Sequence, residues 1–384
     1  MEQSPITGKA RIVWLDGVRL AAMIMLVCCH ATGPFNYLPD PTLPEAADIK
    51  FWGALWGAAM RPCVPLFVML TGALLLPVKT DATGFCRKHI TRVLWSFLIW
   101  SAAYSFLPWL AGLANISRDT AAAFMPYAGD AINNRTLAAA FNYILQIPFN
   151  NSPLTVPMWY IYLLTGLYLY MPIFSAWVKQ ASRLSQRKFL LLWGVTLCVP
   201  FWLNFVRNNL WGLTPFNEFG MLYYFAGFNG YLLLGHYLRN TEWTRKFTFT
   251  VCPLLFVAGY IITFSGFRWV CAWPDATDKQ IELFFLYCSP GVLMMSVATF
   301  MTMKAVRITS PRVQGWLANL TACGFGIYMI HYFFSGPMVV LLRTLHVPLS
   351  AQVPLSALLT LSVSWGIVSL CKHGRKRWSV VLFG

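Results

Sequence analysis

Two arginines and two histidines stand in this chain where an apolar environment gives them least support. The first is Arg19, in Leu15-Asp16-Gly17-Val18-Arg19, and His30 follows eleven positions later in the same apolar run. At 100° per residue, eleven residues make three turns plus about 20°, so both side chains share one helical face, about 16 Å apart along the axis. One helix thus presents a guanidinium, shaped to grip phosphate or carboxylate, and an imidazole that can take a proton from a hydroxyl near neutral pH. The blander alternatives are Arg19 snorkelling with Asp16 as its partner and His30 capping the end of the run.

The second arginine, Arg61, begins Arg61-Pro62-Cys63-Val64-Pro65-Leu66-Phe67, which continues into Met69-Leu70-Thr71-Gly72. Prolines interrupt the backbone ladder, which in a bilayer is tolerated only where protein or water satisfies the freed carbonyls. That segment predicts a kinked helix beside a polar cavity, or simply a kink with a small packing face at Thr71 and Gly72. The entry to the third apolar run, Arg87-Lys88-His89-Ile90-Thr91-Arg92, offers a basic cluster for lipid headgroups or a polyphosphate ligand, with Arg92 drawn furthest into the run. Later, Met158-Trp159-Tyr160 opens an aromatic-rich helix, and Tyr328 and His331 lie three apart on one face of another.

The elements that must position these groups are set by composition. Of 384 residues, 58% are hydrophobic and 11% charged, against about 25% charged in an ordinary soluble domain. Apolar runs of the roughly 20 residues that cross a bilayer fall near 12–31, 52–77, 93–113, 156–178, 189–206, 221–238, 247–266, 283–303, 316–341 and 353–371. The expected fold is therefore an all-α integral membrane domain of about ten transmembrane helices over residues 1–384. It is multi-pass and embedded in the lipid bilayer.

The net charge of +16 points to orientation and away from nucleic acid, because the basic residues cluster between apolar runs. With the N-terminus inside, 20 of the 29 lie on inner segments, from Lys9 and Arg11 to Arg375, Lys376 and Arg377, and seven on outer ones, Arg207 and Arg343 among them. That asymmetry predicts both ends in the cytoplasm, with a short basic tail at 372–384. Arg19 and Arg61 remain, and within a bilayer each costs about 2.5–3.5 kcal/mol unless it has a partner or faces a wet cavity.

The longest outer stretch, 115–155, is read as a cap over a binding site or a plain connector. The first run carries Asp16 and Arg19 and has no cleavage-type ending, so it is expected to remain as a helix. Cys28, Cys29, Cys63, Cys198, Cys252, Cys288 and Cys323 lack metal-type spacing and read as small core residues, so no metal site is expected.

Taken in order, the Arg19/His30 element after Leu-Asp-Gly, Val64-Pro65-Leu66-Phe67 with Gly72, the basic entry at Lys88 and Arg92, Met158-Trp159-Tyr160, and Ile327-Tyr328 with His331 resemble the membrane-bound acyltransferase 3 family. The likeness runs along nearly the whole chain. It is greatest to single-domain bacterial members that O-acetylate surface polysaccharides, such as the one acting on the enterobacterial common antigen. Two departures stand out: the family's paired arginines before the third helix are Lys88 and Arg92 here, and its usual serine before the glycine is Thr71.

The resemblance implies transfer of an acyl group, most simply acetyl, from acyl-CoA in the cytoplasm to a hydroxyl of a surface glycan or lipid-linked sugar, at a bacterial inner membrane. Acetyl-CoA would be a co-substrate, with no tightly bound cofactor. It carries the family's functional pair onto Arg19 and His30. His30 would be the base, Arg61 would face the oxyanion, and Arg19, Lys88 and Arg92 would hold the acyl-CoA. Asp16, Thr71, Trp159, Tyr160, Tyr328 and His331 would support them. A transporter or flippase of lipid-linked sugar is the competing reading, although no inverted repeat accompanies it; a scaffold for a polysaccharide synthase would tolerate loss of Arg19 and His30. Nothing in the sequence fixes an oligomeric state.

Overall fold

A computed structural model describes residues 11–36, 45–149, 152–206, 219, 222–373 and 377–383; Lys9, Arg207, Arg375 and Lys376 lie outside them. Its regular structure is helical throughout, with no strand among the described residues. The helices that matter for the site are α1 (Val13–Ala31), α2 (Ala46–Met60), α3 (Cys63–Leu75), α4 (Ala82–Ser105), α5 (Trp159–Gln180), α6 (Arg183–Thr196), α7 (Asn229–Arg239), α8 (Arg245–Cys271), α9 (Pro290–Ala305), α10 (Pro311–Thr344) and α11 (Leu349–His373).

Among the described residues, nine helical stretches are long and apolar enough to cross a membrane, one fewer than the apolar runs suggest. The missing one is the expected span 221–238. It contains α7, whose 11 residues extend only about 16 Å, roughly half a bilayer core. Before it the chain turns at Gly227, held at φ +86°, a left-handed conformation that ends helical propagation. The Gly227 carbonyl accepts a hydrogen bond from Trp193 Nε1 of α6 at 2.8 Å.

This half-span stays in place because its backbone lies against that of α3. A Cβ at Gly72 would collide with the Leu232 carbonyl, and one at Gly235 with the Met69 carbonyl. Small residues let helices approach this closely where lipid offers no hydrophobic drive for association. The last carbonyls of both helices, which have no partner within their own helix, are then met by cations. The Arg239 guanidinium donates to the Ala73 carbonyl. Lys304 Nζ, at the end of α9, donates to the carbonyls of Leu238, Arg239 and Thr241 at 3.2, 2.8 and 2.6 Å. An ammonium at a helix C-terminus also opposes the negative end of its dipole.

The second expected span is interrupted where the prolines fall. Arg61 and Pro62 link α2 to α3 and both keep right-handed helical dihedrals, so the two helices continue as one kinked crossing. The kink leaves Arg61 at the joint. At the centre of the bundle stands α1, packed against α3, α9, α10 and α11. Arg19 and His30 are therefore carried by a helix held by neighbours on several sides.

The stretch expected as an outer cap is largely helical: Arg118–Phe124, a 3-10 turn at Gly129–Asn133, Leu137–Gln146, and a 3-10 segment at Pro153–Met158. It rests on α10, where Gly336 lies so close to the Phe124 carbonyl that no Cβ would fit. The stretch expected as a basic tail also holds structure. Its helix Arg377–Phe383 lies along α4, with Ser96 Oγ donating to the Val381 carbonyl at 2.6 Å and Trp100 Nε1 to that of Leu382 at 2.8 Å. Of the cysteines read as core, Cys198 is exposed instead.

Substituting Gly72→Val should separate α3 from α7 and destabilise the protein by about 1–3 kcal/mol. A thermal unfolding curve in detergent unchanged by that substitution would rule out the close crossing.

Candidate active site

Two confluent cavities open from the end of the bundle at which α1 begins. The outer mouth, about 690 Å³, is walled by Arg11, Arg19, Lys79, Lys88, His89, His236 and Arg239, with Asp16 the single carboxylate. Seven cationic or potentially cationic groups against one acid give the cavity a positive wall that attracts anions. Asp16 is already committed: it accepts from Arg11 Nε at 2.6 Å and lies 3.6 Å from Arg19 Nη1. The pairing weighed from sequence for Arg19 is present, but shared with Arg11, so the Arg19 fork keeps donors for a ligand.

Deeper in, a second cavity of about 540 Å³ shares Arg11, Asp16, Arg19 and His89 with the mouth and adds Arg92. Its remaining wall is mostly apolar, from Met23, Leu26, Phe67, Leu70, Leu164 and Phe325. Charge at the entrance and hydrocarbon beyond suit a ligand with a charged head and an uncharged arm. On α5, Tyr160, Ile161, Leu164 and Tyr168 reach this wall at helical spacing, and His89 of α4 packs against Phe85 and Tyr168 with ring centroids 4.6 and 5.4 Å away.

A tyrosine layer closes the inner end. Tyr160 and Tyr328 meet edge to face at 6.1 Å, with Thr71 beside Tyr160. Thr71 Oγ1 in turn donates to the Phe67 carbonyl at 2.9 Å. The Tyr328 hydroxyl donates to the Pro157 carbonyl, in the 3-10 segment that closes the outer stretch. The layer is thus fastened from the far side of the bundle.

Beyond it lies the third group. His30 sits 5.1 Å from His331, 5.9 Å from Tyr332 and 6.1 Å from Tyr127, ring centre to ring centre. Tyr127 comes from the 115–155 stretch, and its ring meets that of His30 edge to face. Arg61, at the α2–α3 joint, has its guanidinium 4.2 Å from the Phe285 ring and 5.8 Å from that of Tyr287. Stacking of this kind contributes about 0.5–2 kcal/mol and holds the charge in place away from water. Its charge reaches both His30 and Cys29, and Cys29 lies beside Cys63, the first residue of α3.

The residues singled out from sequence therefore fall into three tiers along one axis. Asp16, Arg19, Lys88 and Arg92 line the basic cavities; Thr71, Tyr160 and Tyr328 form the closing layer; His30, Arg61 and His331 meet beyond it. Trp159 stands apart from both cavities, stacked on Tyr287 with centroids 5.5 Å apart and planes 22° from parallel. Sequence reasoning did not single out Tyr168, which the i, i+4, i+8 spacing from Tyr160 could have disclosed. It also passed over Tyr127 and Tyr287, which come from irregular segments and carry no periodic signal, and the Cys29–Cys63 contact, which depends on how α1 packs against α3.

A protein-family model described as an acyltransferase domain matches residues 12–369, which takes in all three tiers. No curated protein and no solved structure matches the chain.

The tiers predict what loss of Arg19 does. A charge-assisted contact to a phosphate is worth about 1.5–3 kcal/mol, so Arg19→Ala should weaken coenzyme A binding about tenfold or more. Isothermal calorimetry showing the same affinity in both proteins would remove Arg19 from that role.

Proposed function

The chain belongs to the acyltransferase 3 family and is a multi-pass membrane acyltransferase, and from that premise we propose that it moves an acyl group, most simply acetyl, from acyl-CoA in the cytoplasm to a hydroxyl of a surface glycan or lipid-linked sugar. The membrane would be a bacterial inner membrane, with the α1 N-terminus and the α11 C-terminus on the cytoplasmic side. What supports the reading is the division of one bundle into a basic cavity that runs into a mostly apolar pocket at one end and a histidine cluster on the far side of the Tyr160–Tyr328 layer. Supporting the orientation, Lys79, Lys88, Arg239 and Lys304 all gather at the end where α1 begins.

In this account the coenzyme phosphates rest on Arg19, Arg92 and Lys88, with Arg11 and Arg239 at the rim. The extended arm lies against Leu26, Phe67 and Leu164, and the thioester passes the Tyr160–Tyr328 layer toward His30. A phenol pair in which Tyr328 is tied by its hydroxyl to the Pro157 carbonyl can part without unfolding a helix. His30 takes the proton from the acceptor hydroxyl as its oxygen attacks the thioester carbonyl. The oxyanion that forms lies within reach of Arg61, whose position is fixed by Phe285 and Tyr287 and so needs no rearrangement. Collapse expels the coenzyme thiolate, which recovers the proton from His30.

Acceptor selection falls to the outer stretch, because Tyr127 meets the His30 ring and Pro157 holds Tyr328. Donor and acceptor then never share a compartment, and no free acyl intermediate has to cross the bilayer.

His30→Ala should lower acyl transfer from labelled acetyl-CoA to envelope glycan by about 10²–10⁴-fold while leaving the protein in the membrane. Full transfer by that variant would overturn His30 as base.

A further inference from the structure

His331 is fully buried on α10, and its Nδ1 lies 2.8 Å from the Tyr328 carbonyl and 3.2 Å from that of Ile327. Both neighbours are carbonyl oxygens and can only accept, so Nδ1 must carry the ring proton. The neutral ring then has one nitrogen left, Nε2, as a bare acceptor. That atom is buried and has no hydrogen-bond partner, an arrangement that costs about 1–3 kcal/mol when nothing compensates it. Its nearest titratable ring is His30, 5.1 Å away between centroids and tilted by 49°. Nitrogens aimed at each other across such a gap come within a normal hydrogen bond of about 2.9 Å.

The turn of α10 that carries His331 is held from several sides. Tyr104 of α4 donates its hydroxyl to the Met329 carbonyl at 2.9 Å and stacks on Phe333 at 4.0 Å. Tyr328 is tied to Pro157, and His331 itself to Tyr328. His30, by contrast, meets His331, Tyr332 and Tyr127 through ring contacts and keeps some accessible surface. A fixed acceptor therefore stands beside a less constrained imidazole.

We propose that His331 is the positioning residue of the acyl-transfer site: its buried Nε2 accepts the N–H of His30 and so fixes both the tautomer and the orientation of that ring. With one nitrogen of His30 held as donor to His331, the other is left unprotonated and turned toward the acceptor hydroxyl. The contact closes when the site is occupied, as catalytic hydrogen bonds do when they tighten in the substrate complex. In this pair a neutral histidine does the orienting usually given to a carboxylate, which suits a position where an added anion would need desolvating.

This inference rests on the acyltransferase reading with His30 as base, and the experiment separates the two. Purified full-length protein in detergent is assayed with labelled acetyl-CoA and lipid-linked glycan extracted from its own membranes, comparing His331→Phe, His331→Asn, His331→Gln and His30→Ala. Phe has no acceptor, and Asn keeps a donor at the Nδ1 position with nothing at Nε2, whereas Gln reaches the Nε2 position with an amide oxygen. Phe and Asn should lower kcat roughly 10- to 100-fold, with KM for acetyl-CoA within about twofold, and Gln should recover most of the loss. Gln no better than Asn, or Phe and Asn close to the parent, overturns the role of His331; should Phe fail to fold, the Asn–Gln comparison decides alone. Retained transfer in His30→Ala would instead overturn the underlying reading.

Discussion

Within the hydrocarbon, a carbonyl or cation without a partner costs several kcal/mol, and most of the unusual features of this bundle answer that constraint. The proline joint between α2 and α3 disturbs the backbone ladder, and Arg61 sits there against Phe285 and Tyr287. The ends of α3 and α7 fall against one another, and Arg239 and Lys304 reach their carbonyls. Arg19 stands in a crossing helix, and Asp16 lies beside it while a cavity admits water to its remaining donors. Polar groups are gathered where others can satisfy them, and those gatherings become the site.

The same constraint explains why the conduit is tiered. A continuous polar channel through the bundle would let ions through, whereas an all-apolar one could not hold a charged coenzyme. The charged mouth, the apolar pocket and the enclosed histidine cluster each meet a different requirement, and the tyrosine layer stands between the last two. Arg19 and His30 lie on one continuous helix, α1, so their separation along it is fixed.

Much of this was legible in the sequence, and what was not has identifiable causes. Arg19 and His30 could be placed on one face by arithmetic because a straight helix carries both. Val64-Pro65 could be read as a kink because proline cannot continue the ladder. The half-span at α7 was hidden because 221–238 is apolar enough to cross a membrane, whereas the chain turns at Gly227 before the helix starts. That turn has no periodic signature. Tyr127 and Tyr287 reach the cluster from irregular segments, so their roles depend on tertiary packing alone. The orphaned Nε2 of His331 is likewise invisible until its neighbours are known.

The central claim is that donor and acceptor engage opposite ends of one bundle. It is tested most directly in sealed vesicles of a single known orientation, with labelled acetyl-CoA supplied only to the face bearing the α1 N-terminus and a membrane-impermeant glycosidase only to the other. The account predicts labelled glycan that the glycosidase releases without breaking the vesicles. Label that becomes accessible only after lysis, or that appears only when acetyl-CoA is given to the glycan-bearing face, would contradict it.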